Sequence, residues 1–317
     1  MKTINLGQSG LGASQIALGV MRMGSLSSAD ATEVLETVHD AGVNFFDAAD
    51  IYVDGRSEEV FGKALKNASF TRDDVYVQSK GGIVLDHSRS KGDLVFGQRY
   101  DFSKQHLLDA VDGSLQRLGV DYLDSFLLHR PDPLMEPEEI AEAFNELQAS
   151  GKVRHFGVSN FNPSQIDMLQ SHLNQKLLVD QLQFGVMHTG MVDSGMHVNM
   201  TDADSLDHDG GLLEYLRFHK MNVQAWSPYQ YGMFEGVFID NPKFPELNDK
   251  LQAVADKYSV TKNAIATAWI TRMPQNIQVV LGSMNPNHLK ESIAGADVQL
   301  EKQEWYDIYF AAGHVLP

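Results

Sequence analysis

Four side chains able to move or steer a proton each stand where an apolar run stops. Val43 to Phe46 ends on Asp47, and Tyr52 follows within Phe45-Phe46-Asp47-Ala48-Ala49-Asp50-Ile51-Tyr52. Val75-Tyr76-Val77-Gln78-Ser79 ends on Lys80, ahead of Gly81-Gly82. Ser125-Phe126-Leu127-Leu128 ends on His129. Tyrosine, with a reference pKa of about 10, is a poor acid alone. A cation beside it favours the phenolate and makes it a useful proton donor near neutral pH, and Lys80 is a candidate for that cation. Each residue also has an ordinary reading: Asp47 a turn cap, Tyr52 a half-buried loop aromatic, Lys80 a solvated charge, His129 a satisfied core histidine. Their shared position at strand ends points instead to one site. In a parallel barrel those ends form one face, and that face carries the active site.

The rest of the chain supplies the strands and helices that such a face needs. Residues 2–18, broken by Gly7, Gly10 and Gly12, read as a hairpin lid. Ile16 to Val20 is a first strand. Helical spacing places Ala31, Val34, Leu35 and Val38 on one face of Ala29 to Ala41, with Gly42 as its stop. Ser57 is a candidate cap for a helix to Lys66. Helices follow over Ser103–Leu118, Pro137–Ser150, Pro163–Leu173, Leu212–His219, Pro245–Tyr258, Thr261–Thr271, Asn287–Ala294 and Glu301–Ala312. Strands fall at Tyr122–His129, Val153–Val158, Leu177–Leu182, Val223–Trp226 and Ile277–Leu281. Three stretches, 83–102, 185–210 and 229–244, read as long irregular loops, and such loops are commonly functional. Near-continuously apolar strands alternating with helices predict an α/β class fold, a TIM (β/α)8 barrel forming one domain over 1–317, with a β-hairpin lid at its N-terminus and long loops at the C-terminal face.

Composition narrows the partners. The 317 residues carry a net charge of −17, which opposes nucleic acid and anionic membranes but not a phosphate held locally by backbone amides. No apolar run approaches the ~20 residues of a membrane helix, and no signal-peptide core follows Met1. The absence of cysteine excludes disulfides, cysteine-based zinc sites and a cysteine nucleophile, and fits a cytoplasmic location. A monomer or small homo-oligomer is expected.

FFDAADIY, the QSKGG strand end, LLHRPDP, GKVRHFGVSNF, AWSP and LGSMNPNHLKES together resemble the aldo-keto reductase superfamily along essentially the whole chain. The stretch LHRPDPLMEPEEIAEAF followed by GKVRHFGVSNF is most similar to a bacterial branch of oxidoreductases without an assigned substrate. The resemblance implies reduction of an aldehyde or ketone by hydride from NADP(H). In it Tyr52 gives the proton, Lys80 lowers the pKa of Tyr52, Asp47 holds Lys80, and His129 orients the carbonyl. It implies that Ser159, Asn160 and Gln181 bind the nicotinamide carboxamide and that Trp226 stacks on its ring. Gly19, Met21, Ser227, Pro228, Tyr229 and Gly232 would continue along the cofactor. Gly282, Ser283, His288 and Glu291 would meet the adenosine and its 2′-phosphate. Here the chain departs from the common pattern, which has lysine at Gly282 and arginine at His288, so NAD(H) is not excluded as cofactor. Met21, Ile51, Tyr229, Tyr231, Met233 and Phe234 suggest an apolar or aromatic carbonyl substrate.

No metal is expected. Thr201 to Gly210 holds Asp202, Asp204, Asp207 and Asp209, but lacks the glycine and the bidentate glutamate of a calcium loop. His188, His197 and His208 lack ligand spacing. Two other functions compete: a barrel lyase or aldolase with a Schiff base on Lys80, and a nicotinamide-binding redox sensor without turnover.

Overall fold

The structure, a computed structural model, describes residues 1–91, 94–232 and 235–317. Eight parallel strands close on themselves, and they are numbered here in chain order: β1 Ile16–Gly19, β2 Phe45–Asp47, β3 Tyr76–Gly81, β4 Leu123–Leu128, β5 Val153–Ser159, β6 Leu177–Gln183, β7 Asn222–Trp226 and β8 Gln278–Leu281. Each pairs with the next, and β8 closes on β1 through Val279 opposite Ile16, Val280 opposite Ala17 and Leu281 opposite Leu18.

Helices cover the outside. Ser28–Asp40 buries Ala31, Val34, Leu35 and Val38, and Ser27 caps it by accepting from the Asp30 amide at 3.1 Å. Gly42, at φ 88°, makes the left-handed turn into the next strand. Lys104–Leu118, Pro137–Ala149, Pro163–Gln170, Leu212–His219, Lys262–Thr271 and Pro286–Ala294 follow their strands in turn. Phe46, Phe126, Phe144, Phe156 and Trp269 are all fully buried in the packing core.

The antiparallel pair Thr3–Asn5 and Gly12–Ser14 closes the N-terminal mouth of the barrel. Its Ile4, Leu6 and Leu11 pack against Phe45, Leu127 and Leu178. The lid therefore lies opposite the face that carries the strand-end residues.

Four details differ from the sequence expectation. Residues 83–102 are not irregular: Ile83–Lys91 and Leu94–Tyr100 pair as an antiparallel ribbon. The alternation that marks a half-buried strand is missing there because the ribbon is rich in charge. The 185–210 insertion contains a short helix, Gly190–Met196, and a 3-10 turn, Ala203–Ser205. Ser57 is not a cap: Gly55, in a left-handed conformation, precedes the helix Arg56–Asn67, and Ser57 Oγ donates to the Met21 carbonyl at 2.8 Å. The strands are also less apolar than expected. Gln78, Ser125, Gln181, Gln224 and Gln278 are buried and bonded to one another or to nearby groups. No helix among the described residues is long and apolar enough to cross a membrane.

Candidate active site

Asp47 ends β2, and Lys80 is the penultimate residue of β3, one strand away. Side chains alternate along a strand, so Gln78 and Lys80 share the face that Asp47 also meets. Lys80 Nζ lies 2.8 Å from Asp47 Oδ2, 2.7 Å from the Ala48 carbonyl and 3.1 Å from the Tyr52 hydroxyl. An ammonium has three donors, and these three acceptors use them all. Asp47 Oδ1 accepts from Gln78 at 2.6 Å and from Gln181 at 3.0 Å, so the carboxylate is fixed at both oxygens. Lys80 is fully buried, and a charge there survives only because it is paired and bonded.

His129 follows β4 directly, and its ring meets that of Tyr52 edge-on at 5.8 Å between centroids. The sequence-predicted four thus converge. Burial, then Lys80 and Arg130, push the His129 pKa well below its ordinary value, so the imidazole is neutral at pH 7. Burial raises the Tyr52 pKa, and the ammonium of Lys80 opposes that without overcoming it. This corrects the simplest form of the sequence argument: Lys80 pulls the phenol downward, but Tyr52 keeps its proton at rest. Burial lowers the Lys80 pKa, yet Asp47 and Tyr52 together leave it raised, and Lys80 is a cation.

Beside these four lies a flat polar ledge. Ser159 Oγ donates to the Gln181 carbonyl at 2.8 Å, Asn160 Nδ2 donates to Ser159 Oγ at 2.8 Å, and Trp226 Nε1 donates to Asn160 Oδ1 at 3.2 Å. Gln181 gives its Nε2 to Asp47 and Gln224, which leaves its oxygen for another donor. The Arg130 guanidinium lies 5.8 Å from the Trp226 ring centre. Asn160 and Ser227 hold positive φ, 63° and 49°, which non-glycine residues seldom adopt outside constrained sites.

The remaining predicted residues separate into two groups. Gly19 lies opposite Asp47 in the register, and Met21 is half-buried just beyond. Pro228 is buried with its carbonyl against Gly185. The Gly232 carbonyl accepts from Gln183 at 3.2 Å. The Tyr229 hydroxyl instead bonds Thr267 at 2.5 Å, with burial raising its pKa to about 12, so this tip faces the helix Lys262–Thr271. Gly282 and Ser283 follow β8, and Ser283 Oγ accepts from the Asn285 amide. His288 is exposed, and Glu291 accepts from Asn263 at 2.6 Å. Asn285 caps the helix Pro286–Ala294 by accepting from the amides of both Asn287 and His288, so those donors are already engaged. Met233 and Phe234 lie outside the described residues.

Sequence reading missed two features of this face. Arg22 Nη1 donates to the Gly282 carbonyl at 3.0 Å, so a guanidinium lies beside the position where the common pattern carries lysine. A Cβ on Gly282 would meet that nitrogen at 3.1 Å, so the glycine leaves room for it. Asp50 and Glu58 are also drawn in beneath the site. Glu58 accepts from Ser79 at 2.6 Å and from Arg117 at 2.8 Å, and burial, then the Glu58 charge, raises the Asp50 pKa to about 7. The Asp47-Ala48-Ala49-Asp50 spacing contained this signal for Asp50; nothing near Met21 marked Arg22.

Asp180, next to Gln181, turns to the other side of β6. Burial raises its pKa to about 8, with the backbone amides of Phe161 and Asn160 pulling the other way. A carboxyl with a folded pKa above its unfolded value stabilises the fold at low pH. That contribution is lost as pH rises from about 4 to about 8, at about 1.4 kcal/mol per unit. Asp180→Asn should flatten the fall in stability between pH 5 and pH 8, measured by denaturant unfolding. A slope identical to that of the unmodified protein contradicts the assignment.

The model of the aldo/keto reductase family matches residues 15–309. The chain is 32% identical to the uncharacterized oxidoreductase YcsN of Bacillus subtilis strain 168, over 96% of each chain. It is 31% identical to a 6-dehydroglucose reductase of Agrobacterium fabrum, over 94% of each. An aldo/keto reductase from Klebsiella pneumoniae, solved in complex with NADP and acetate, superposes with a TM-score of 0.74 at 24% identity, covering 97% of this chain and 94% of that one. With a barrel that closes as described and a match that spans nearly its full length, this chain belongs to the aldo/keto reductase family of oxidoreductases.

Proposed function

We propose that the protein reduces an aldehyde or ketone to an alcohol with NADP(H), with Tyr52 as general acid. The observation that carries this reading is the chain of contacts from Asp47 through Lys80 to Tyr52, with neutral His129 against the phenol ring. A neutral phenol is the correct resting state for a proton donor. As negative charge develops on the substrate oxygen, the proton moves from the Tyr52 hydroxyl, and the forming phenolate lies 3.1 Å from the Lys80 ammonium. Asp47 holds that ammonium in place. His129, being neutral, orients the carbonyl through an N–H without giving up a proton.

The ledge fits a nicotinamide. The Gln181 oxygen and the second Asn160 amide hydrogen complement the N–H and C=O of a carboxamide, and the half-buried Trp226 offers an aromatic surface for its ring. When bound, the reduced cofactor supplies the hydride. The NADP complex of the Klebsiella relative supports the same choice.

Arg22 is the local cation for the 2′-phosphate, in a chain whose net charge of −17 opposes anions. Guanidinium–phosphate contacts are charge-assisted and commonly bidentate. Arg22→Ala should weaken NADPH by about tenfold, the order expected for losing one exposed charge-assisted bond, while changing NADH little. Cofactor fluorescence quenching measures both, and equal losses for the two cofactors place the phosphate elsewhere.

A Schiff base on Lys80 needs a neutral, nucleophilic amine. Here the amine is a cation with all three donors engaged. An aldehyde and ketone panel, followed by NADPH absorbance loss, tests the reading; the 6-dehydroglucose reductase relative makes sugar aldehydes part of that panel. No NADPH consumption across the panel contradicts it and favours a binding protein without turnover.

A further inference from the structure

We propose that His197, Asp202 and Asp204 form a binding site for a divalent first-row transition-metal ion, zinc foremost, that fastens the 185–210 insertion to the C-terminal tail. The sequence spacing of histidines does not announce it, because the ligands are one histidine and two aspartates on either side of a turn. Their ligand atoms all lie within 4.8 Å of one another.

The two nitrogens of His197 have unlike surroundings. The ring is 2% exposed. Nε2 is 3.2 Å from the Val315 carbonyl, which can only accept, so Nε2 carries the hydrogen. That tautomer leaves a lone pair on Nδ1. Nδ1 is buried and has no hydrogen-bond partner. Yet Asp202 Oδ1 lies 2.9 Å from it, off the line a hydrogen bond needs. A nitrogen and a carboxylate oxygen at that distance are held together by positive charge between them, a metal ion or, in its absence, a proton on Nδ1. Two ligands held at about 2.0–2.1 Å by one tetrahedral zinc stand about 3.3 Å apart, so opening this pair by a few tenths of an ångström makes them neighbouring ligands. A carbonyl accepting from the second ring nitrogen is the usual outer support of a metal-bound histidine.

Asp202 Oδ1 also accepts from the Asp204 amide at 3.1 Å, which fixes it toward the ring, while the acidic residues further along serve backbone turns of their own. Asp207 accepts from the amides of Asp209 and Gly210, and Asp209 accepts from Gly211 and Leu212. Asp204 is the third ligand, and turning its side chain to close a separation of up to 4.8 Å to the ~3.3 Å of a tetrahedral site completes the set. One nitrogen and two carboxylates suit zinc or manganese, whereas calcium takes oxygen alone, and zinc outranks manganese in affinity. The insertion has need of such an anchor. Val186, Met191 and Val192 anchor its first half in the core, but Val198 is 73% exposed and Leu206 61%, so the stretch that carries the ligands buries little apolar surface.

The test uses the full chain stripped by chelator, with thermal unfolding followed on addition of Zn²⁺, Mn²⁺ or Ca²⁺ alone. Zn²⁺ should raise the Tm by several degrees, Mn²⁺ by less, and Ca²⁺ not at all, with one zinc per chain by mass spectrometry. Asp204→Asn, on a surface turn, should fold normally and lose the zinc shift, and Asp202→Asn likewise. No zinc shift in the unmodified protein, or the same shift in both variants, overturns the site.

Discussion

Tyr52→Phe is expected to lower carbonyl reduction by about 10²–10⁴-fold, the usual worth of a positioned proton donor, and to leave NADPH binding nearly intact. The variant removes one oxygen from a buried ring, so the T-shaped contact with His129 survives. His129 cannot take over as the acid, because burial and the adjacent cations keep it neutral at pH 7. Lys80 keeps its bonds to Asp47 and the Ala48 carbonyl, so the site stays charged and ordered. Turnover at saturating NADPH, paired with cofactor fluorescence quenching, separates the proton step from binding. A phenylalanine variant with unimpaired turnover removes Tyr52 from the chemistry.

Lys80→Met has an effect of the same order, and its pH profile is the informative part. The ammonium is the one group pulling the Tyr52 pKa downward through both charge and hydrogen bond, against burial and Asp47. Without it the phenol becomes a weaker acid, so turnover falls and the basic limb of the pH–rate profile moves to higher pH. The substitution also leaves Asp47 buried without its cation, a loss that commonly costs about 3–5 kcal/mol of stability. The double variant Asp47→Asn/Lys80→Met relieves that charge and should recover stability without recovering turnover. An unchanged profile in a folded variant rules out the coupling.

The barrel was legible because its strands and helices obey two different periods, and Gly42 and Ser103 mark their boundaries in the ordinary way. The convergence of the four candidate residues was legible for a related reason: a polar residue closing an apolar run stands at a strand end, and a parallel barrel gathers those ends. What the chain conceals are side chains that meet only through closure. Gln78, Gln224 and Gln278 look like isolated interruptions of apolar strands, yet inside the barrel they satisfy one another and position Asp47. Arg22 reaches Gly282 across the closure of β1 on β8, a contact 260 residues apart in sequence. The ribbon over 83–100 escaped because charged and polar residues interrupt the alternation of its sequence. Ser57 was misjudged because a left-handed Gly55 does the work of starting its helix.

The most direct test of the account follows the hydride. The protein is incubated with NADPH carrying deuterium at both C4 positions of the nicotinamide and with a simple aromatic aldehyde, and the product is analysed by NMR and mass spectrometry. Hydride transfer with Tyr52 as acid gives an alcohol with one deuterium on the carbinol carbon, formed by the unmodified protein and slowed by the Tyr52→Phe change to about 10⁻²–10⁻⁴ of that rate. Alcohol formed without deuterium, or borohydride-trapped aldehyde on Lys80 with no alcohol at all, would contradict it.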